Sequence, residues 1–227
     1  MKFYEIMAQS FIKKANLIER NLDILKNENL PERLVYDINS IYAKYDQVKN
    51  VSKQRIEQCT QYDFKNPNLF LILFLYREIS TFFNEVKNLV VSGKIKTKVP
   101  PTFFLEMKDI KETMMTLAFI GDSAIELGVV QSIWHPENPN TIPTKGTLDS
   151  TKKFITQGAH QAVLWDFLDL YDSEILIQSP NKSMRLKSSQ FETIFGIIYL
   201  EAGLEAVESA IGNLKKNHEK GSVETPI

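Results

Sequence analysis

Two short stretches of this chain place acids where only apolar side chains would be expected. In Leu117-Ala118-Phe119-Ile120-Gly121-Asp122-Ser123-Ala124-Ile125-Glu126-Leu127, Asp122 follows a glycine inside an otherwise apolar helical run. Burying a carboxylate is costly unless it is paired, hydrogen-bonded or bound to a metal. Glu126 lies four residues on and shares a helix face with Asp122, so both could approach one cation. A second stretch, Lys187 to Leu200, sets Glu192 among Phe191, Ile194, Phe195 and Tyr199. Ser189 and Gly196 are small enough there for another helix to come close. Two acids in two apolar helices have two readings: a shared carboxylate site for a metal, or acids each neutralised by a lysine or arginine. The pattern by itself leaves both open.

The elements that must hold these acids read as helices throughout. Phe3, Met7, Phe11, Ile18, Leu22 and Leu25 recur at near-helical spacing, and Asn27 to Pro31 breaks that run. Pro31 suits the first turn of a second helix, whose stripe is Leu34, Ile38, Ile41, Tyr45 and Val48. Polar residues from Gln61 to Asn66 close it. Pro67 opens a third helix expected to reach about Val91, its continuous apolar start buried between the other two. An antiparallel helical hairpin or small bundle follows. In the second half, helices are expected near 105–113, 115–134, 147–157, 159–170, 187–202 and 204–218. His135 to Pro143 and Ser179 to Met184 read as loops. Strand signals are absent. The division is a helical domain over 1–92, a basic, proline-containing linker over 93–103, a second helical domain over 104–218 and a flexible tail over 219–227.

Composition narrows the function classes. Hydrophobic residues at 43% can fill a core, and charged residues at 24% match an ordinary globular protein. The start of the chain lacks a cationic segment followed by an apolar one, so no secretory signal is expected. The longest apolar run, Leu69 to Tyr76, is far short of the roughly 20 residues of a membrane helix. These features point to a cytoplasmic protein without a membrane partner. One cysteine, Cys59, and three histidines argue against disulfides and zinc. Charge divides unevenly: residues 1–100 hold 16 basic and 11 acidic residues, a balance of +5, while 101–227 hold 11 and 17, a balance of −6. A basic half can attract phosphates and an acidic half can concentrate carboxylates for a metal; two domains of ordinary composition read the same way. Lys94, Lys96 and Lys98 alternate in the linker, either gripping phosphates or simply facing solvent.

The stretch 117–127 resembles the signature helix of the ribonuclease III family. Gly146, Leu148, Lys152 and Ile155, followed by Gln161-Ala162, echo the family's next segment. The stretch 189–201 resembles its second acidic helix. Order and spacing agree across about 115–210. The family carries four carboxylates per subunit, two on each helix. Asp122 and Glu192 match two of them, while Ala118 and Ser189 stand at the other two positions. The Leu-Ala-aromatic-hydrophobic-Gly-Asp and Lys-Ser-Ser-x-x-Glu forms are similar to the mini-ribonuclease III branch, which works with fewer acids and without a separate double-stranded-RNA-binding domain. Residues 1–92 are outside the resemblance.

The resemblance implies an all-α, divalent-metal-dependent endoribonuclease that hydrolyses phosphodiester bonds in double-stranded RNA and works as a homodimer. Asp122 and Glu192 would be the catalytic acids and direct ligands of Mg²⁺, or of Mn²⁺ in its place. Glu126 is a further candidate ligand, or forms a salt bridge to a partner subunit. Ser189 could hold a metal-bound water. Lys152 occupies a position that is basic in the family. Lys182, Arg185 and Lys187 cluster before the acidic helix, and these four cations are the candidate RNA contacts; solvent exposure is their plain alternative. His160 is expected on a helix surface, and Trp165 in the core or a dimer interface. Two other functions stay open: an inactive relative that binds structured RNA or a ribosomal partner, and a helical interaction protein that binds no RNA.

Overall fold

A computed structural model of the protein describes residues 3–75, 79–107, 109–134, 142, 144–170 and 183–223. The protein is all-α, and no β-strand forms among the described residues. The N-terminal half comprises α1 (Phe3–Lys26), α2 (Glu32–Gln47), a π-helical turn (Val48–Ser52), α3 (Lys53–Thr60), α4 (Leu69–Phe74) and α5 (Ile79–Val91). There follow α6 (Pro101–Met107), α7 (Ile110–Trp134), α8 (Lys145–Thr156), α9 (Gly158–Phe167), α10 (Met184–Ala202) and α11 (Leu204–Val223). His135 and Lys182 lie outside the described residues, as does most of each loop expected around them; Met184, expected in the second loop, instead opens α10. Helix α11 continues past residue 218 to Val223.

The stripe read from the sequence is the buried face of α2: Leu34, Ile38, Ile41 and Tyr45 are all in the core. The helix does not stop after it. The π-helical turn carries it into α3, with Val48, Ser52 and Ile56 buried. Gln61, at a left-handed φ of 55°, then ends α3 by donating its backbone N–H to Glu57 O.

The expected single helix over 67–91 is two helices. Leu69 to Phe74 are buried on every side, so α4 needs neighbours on every side. It finds them in α1, α7, α10 and the π-helical turn rather than between α1 and α2 alone. Leu75 turns extended (φ −72°, ψ 105°), and α5 runs separately with one buried face, Ile79, Phe82, Phe83 and Val86. The alternating lysines have a structural reason. Ile95 and Val99 are pinned into the core, which leaves Lys94, Lys96 and Lys98 pointing outward. Glu28 holds this strap by accepting from Lys98 N at 2.7 Å.

One hydrophobic cluster runs through both halves. Helix α1 packs on α10, α3 packs on α11, and Phe74 meets Trp165 at 6.0 Å between ring centroids, with the tryptophan fully buried. A polar clamp joins the halves as well. Glu201, at the end of α10, accepts from Lys65 N (3.0 Å), Asn66 N (2.7 Å), Asn66 Nδ2 (2.9 Å) and the Tyr62 hydroxyl (3.0 Å). Helix α7 starts earlier than expected, at Ile110, because Ile110, Met114 and Leu117 continue its buried stripe toward the N-terminus. Its Ile110–Ser132 span is long and apolar enough to cross a membrane by composition alone. Here it is walled by α8, α10 and α11 of the same chain.

Candidate functional site

The acids are brought together by the crossing of α7 and α10, the most extensive helix contact in the protein. Gly121 and Gly196 make that crossing possible. A Cβ on Gly121 would lie 1.8 Å from Glu192 O, and one on Gly196 would lie 2.4 Å from Leu117 O. No side chain fits at either point, so the backbones touch. Asp122 and Glu192 each sit beside this contact, close enough for their charges to interact.

Electrostatics mark the pair. Burial pushes the Glu192 carboxyl up, and the neighbouring Asp122 charge adds to it, to about 7. Hydrogen bonding from Ser188 and Gln161 works the other way. The Ser188 hydroxyl lies 3.2 Å from Glu192 Oε1 and also contacts the Gln161 side-chain oxygen. Asp122 is raised as well, by burial and by Glu126, with Lys152 opposing. Neither Asp122 nor Glu192 forms an ion pair among the described residues. Of the two readings open from the sequence, that of an acid neutralised by its own lysine or arginine finds no ion pair for either of these two among the described residues.

It does fit Glu126. Lys152 Nζ lies 2.6 Å from Glu126 Oε1, so α8 supplies this acid with a cation inside the chain rather than from a partner subunit. Lys187 is likewise occupied, 2.7 Å from Asp166 on α9, with its side chain mostly buried. Two of the four candidate RNA contacts, Lys152 and Lys187, therefore hold helices together. Arg185 is exposed in the first turn of α10 and pairs with nothing among the described residues. Lys182 lies outside them. His160 is exposed on α9, as expected.

No protein-family model, curated protein or solved structure matches this chain.

Two carboxylates are a sparse donor set, and among the described residues no three His, Cys, Asp or Glu side chains form a group that could hold a metal. Ala118 is buried beside the crossing and offers no oxygen. Two hard oxygen donors still suit Mg²⁺, which keeps several waters and takes one or two carboxylates from a protein. The Gln161 side chain deepens the site. It is fully buried, and it meets both the Ser188 hydroxyl and the Glu192 carboxyl. Its position in the sequence by itself gives Gln161 no role. Ser188, one turn before Glu192 on the same face, could have been found from that spacing.

Proposed function

We propose that this protein is a ribonuclease III-type endoribonuclease that cleaves double-stranded RNA with a divalent metal. One observation carries the reading: two acids on crossed apolar helices, Asp122 and Glu192, lie close enough for their charges to interact, and neither forms an ion pair among the described residues. Such an arrangement costs stability unless a positive charge arrives. The order and spacing of the 117–127 and 189–201 stretches support the family. Asp122 and Glu192 would hold a single Mg²⁺, with Mn²⁺ able to replace it. A cation bound there supplies an oriented, acidified water and neutralises charge on the phosphate.

The chain's own residues set the conditions. Ser188 and Gln161 hold the Glu192 side chain in one orientation. Lys152 pairs with Glu126 and lowers the Asp122 carboxyl, and so offsets part of the negative charge here. Arg185 remains available for phosphate. Phe119 and Leu127, 72% and 58% exposed, lie on one face of α7 with Ser123 between them. That apolar stripe suits a second copy of the chain, and a homodimer would set two acid pairs across one duplex.

The test is a cleavage assay on labelled duplex RNA with Mg²⁺, with Mn²⁺ and with chelator. Metal-dependent cutting that Asp122→Asn abolishes without loss of helical content supports the reading. Equal cutting by the Asp122→Asn protein refutes it. The second reading, an inactive protein that binds structured RNA, is favoured by the absence of a third carboxylate at Ala118. Duplex binding without cutting in either metal would select it.

A further inference from the structure

A cavity of about 400 Å³ opens between the first turns of α7 and α10. That volume falls within the roughly 300–1,000 Å³ typical of small-molecule sites. Its walls are of two kinds. Met115 and Leu186 give it an apolar side, and Lys111 and Arg185 stand at its edge with Glu112. Both cations are exposed, and neither is paired with any described residue. Ser189 also lines it. This serine is only 7% exposed, and its hydroxyl has no hydrogen-bond partner among the described residues.

The chemistry of the cavity is that of an anion site with an apolar shoulder. Two cations without a partner among the described residues outweigh one carboxylate. The first turn of α10 adds the positive end of a helix dipole, which favours negative charge. Guanidinium groups bind phosphate through paired N–H donors. Ser189 is three residues before Glu192 on the same helix, so the cavity begins about 5–6 Å, one helical turn, from the carboxyl pair. The sequence resemblance would put an acid at Ser189; a carboxylate there would repel the group that Lys111 and Arg185 attract.

We propose that this cavity binds the phosphate of a nucleotide. Arg185 and Lys111 take the phosphate oxygens, the Ser189 hydroxyl bonds a phosphate or sugar oxygen, and Met115 and Leu186 cover the sugar and base. The choice of a nucleotide over another phosphate ester rests on the RNA reading above. The phosphate site itself does not.

Isothermal titration of the full-length protein with AMP, adenosine and inorganic phosphate tests it, in chelator so that no metal contributes. AMP should bind, and adenosine at least about tenfold more weakly, the effect of one lost charge-assisted contact. The double variant Arg185→Gln, Lys111→Gln should lose at least tenfold in AMP affinity. Ser189→Ala should weaken AMP binding severalfold. Lys94→Gln, an exposed cation elsewhere, should bind AMP like the unchanged protein. Phosphate binding as tight as AMP would overturn the nucleotide assignment. No AMP binding at millimolar concentration, or binding unaltered by the double variant, would overturn the site. AMP binding that the double variant removes, in a protein that never cuts duplex RNA, would keep the site and remove the nuclease. Metal-dependent cutting with no AMP binding would do the reverse.

Discussion

Replacing Glu192 by Gln should make the metal-free protein more stable, increasingly so above about pH 4.5 and fully above about 7. The folded protein holds the Glu192 proton up to about 7, against a usual value of 4.5. A raised carboxyl means the native state binds more protons than the unfolded chain between those limits. Its contribution is therefore intact below about 4.5 and is lost as pH rises through about 7. At about 1.4 kcal/mol per pH unit, the whole interval corresponds to roughly 3 kcal/mol. Glu192 is partly exposed, and solvent screening reduces the figure to about 1–2 kcal/mol. Gln keeps the size and can still accept from Ser188, but carries no charge. Thermal melts in chelator should therefore show Glu192→Gln about 2–8 °C above the unchanged protein at pH 8, and level with it at pH 4. Saturating Mg²⁺ should invert the order at pH 8. Ligand at a hundred times its dissociation constant stabilises by about 2.7 kcal/mol, and the variant lacks the charge that binds it. A variant no more stable at pH 8, or equally shifted at pH 4, would refute the account of a charged pair awaiting a cation.

Three further outcomes are expected. Gly121→Ala should cost about 3 kcal/mol or more in urea melts and disturb the acid pair, because its Cβ would overlap Glu192 O; a loss under 1 kcal/mol would mean the crossing is looser than described. Glu201→Ala should cost about 2–3 kcal/mol, since it strips acceptors from the amides of Lys65 and Asn66, and urea melts followed by fluorescence should reveal it. Phe119→Glu should convert a dimer to monomers in light scattering without shifting the thermal melt of the monomer, whereas an unchanged mass would assign that stripe elsewhere.

The helices were legible where a one-sided apolar stripe repeats, as in α2 and the central part of α7. The crossing could be anticipated from Gly196 and Ser189, because small residues in an apolar helix invite another backbone. The break at Leu75 could not. An unbroken apolar run from Leu69 to Tyr76 fits a buried helix of any length, and only the positions of α1, α7 and α10 decide where the helix must stop. The Glu126–Lys152 and Lys187–Asp166 pairs were equally hidden. Spacing reveals which residues share a helix face, but not which cation a neighbouring helix brings to it. The family-basic position at Lys152 suggested phosphate, and a carboxylate 2.6 Å away satisfies it instead. The outward lysines of the 93–103 strap look like a basic motif because Ile95 and Val99 alternate with them, which is a matter of burial.

The burial of α4 has a consequence for synthesis. Its six apolar side chains face not only α1, which is made before it, but also α7 and α10. The end of α10 is translated about 125 residues after Phe74. At roughly 5–20 residues per second, α4 waits about 6–25 s on the ribosome for its last neighbour. During that interval the nascent chain carries Leu-Phe-Leu-Ile-Leu-Phe without a complete cover. A segment that apolar is a binding sequence for a chaperone and a nucleus for aggregation. Slower translation of the second half would lengthen the exposure, and yield of folded protein should fall with it.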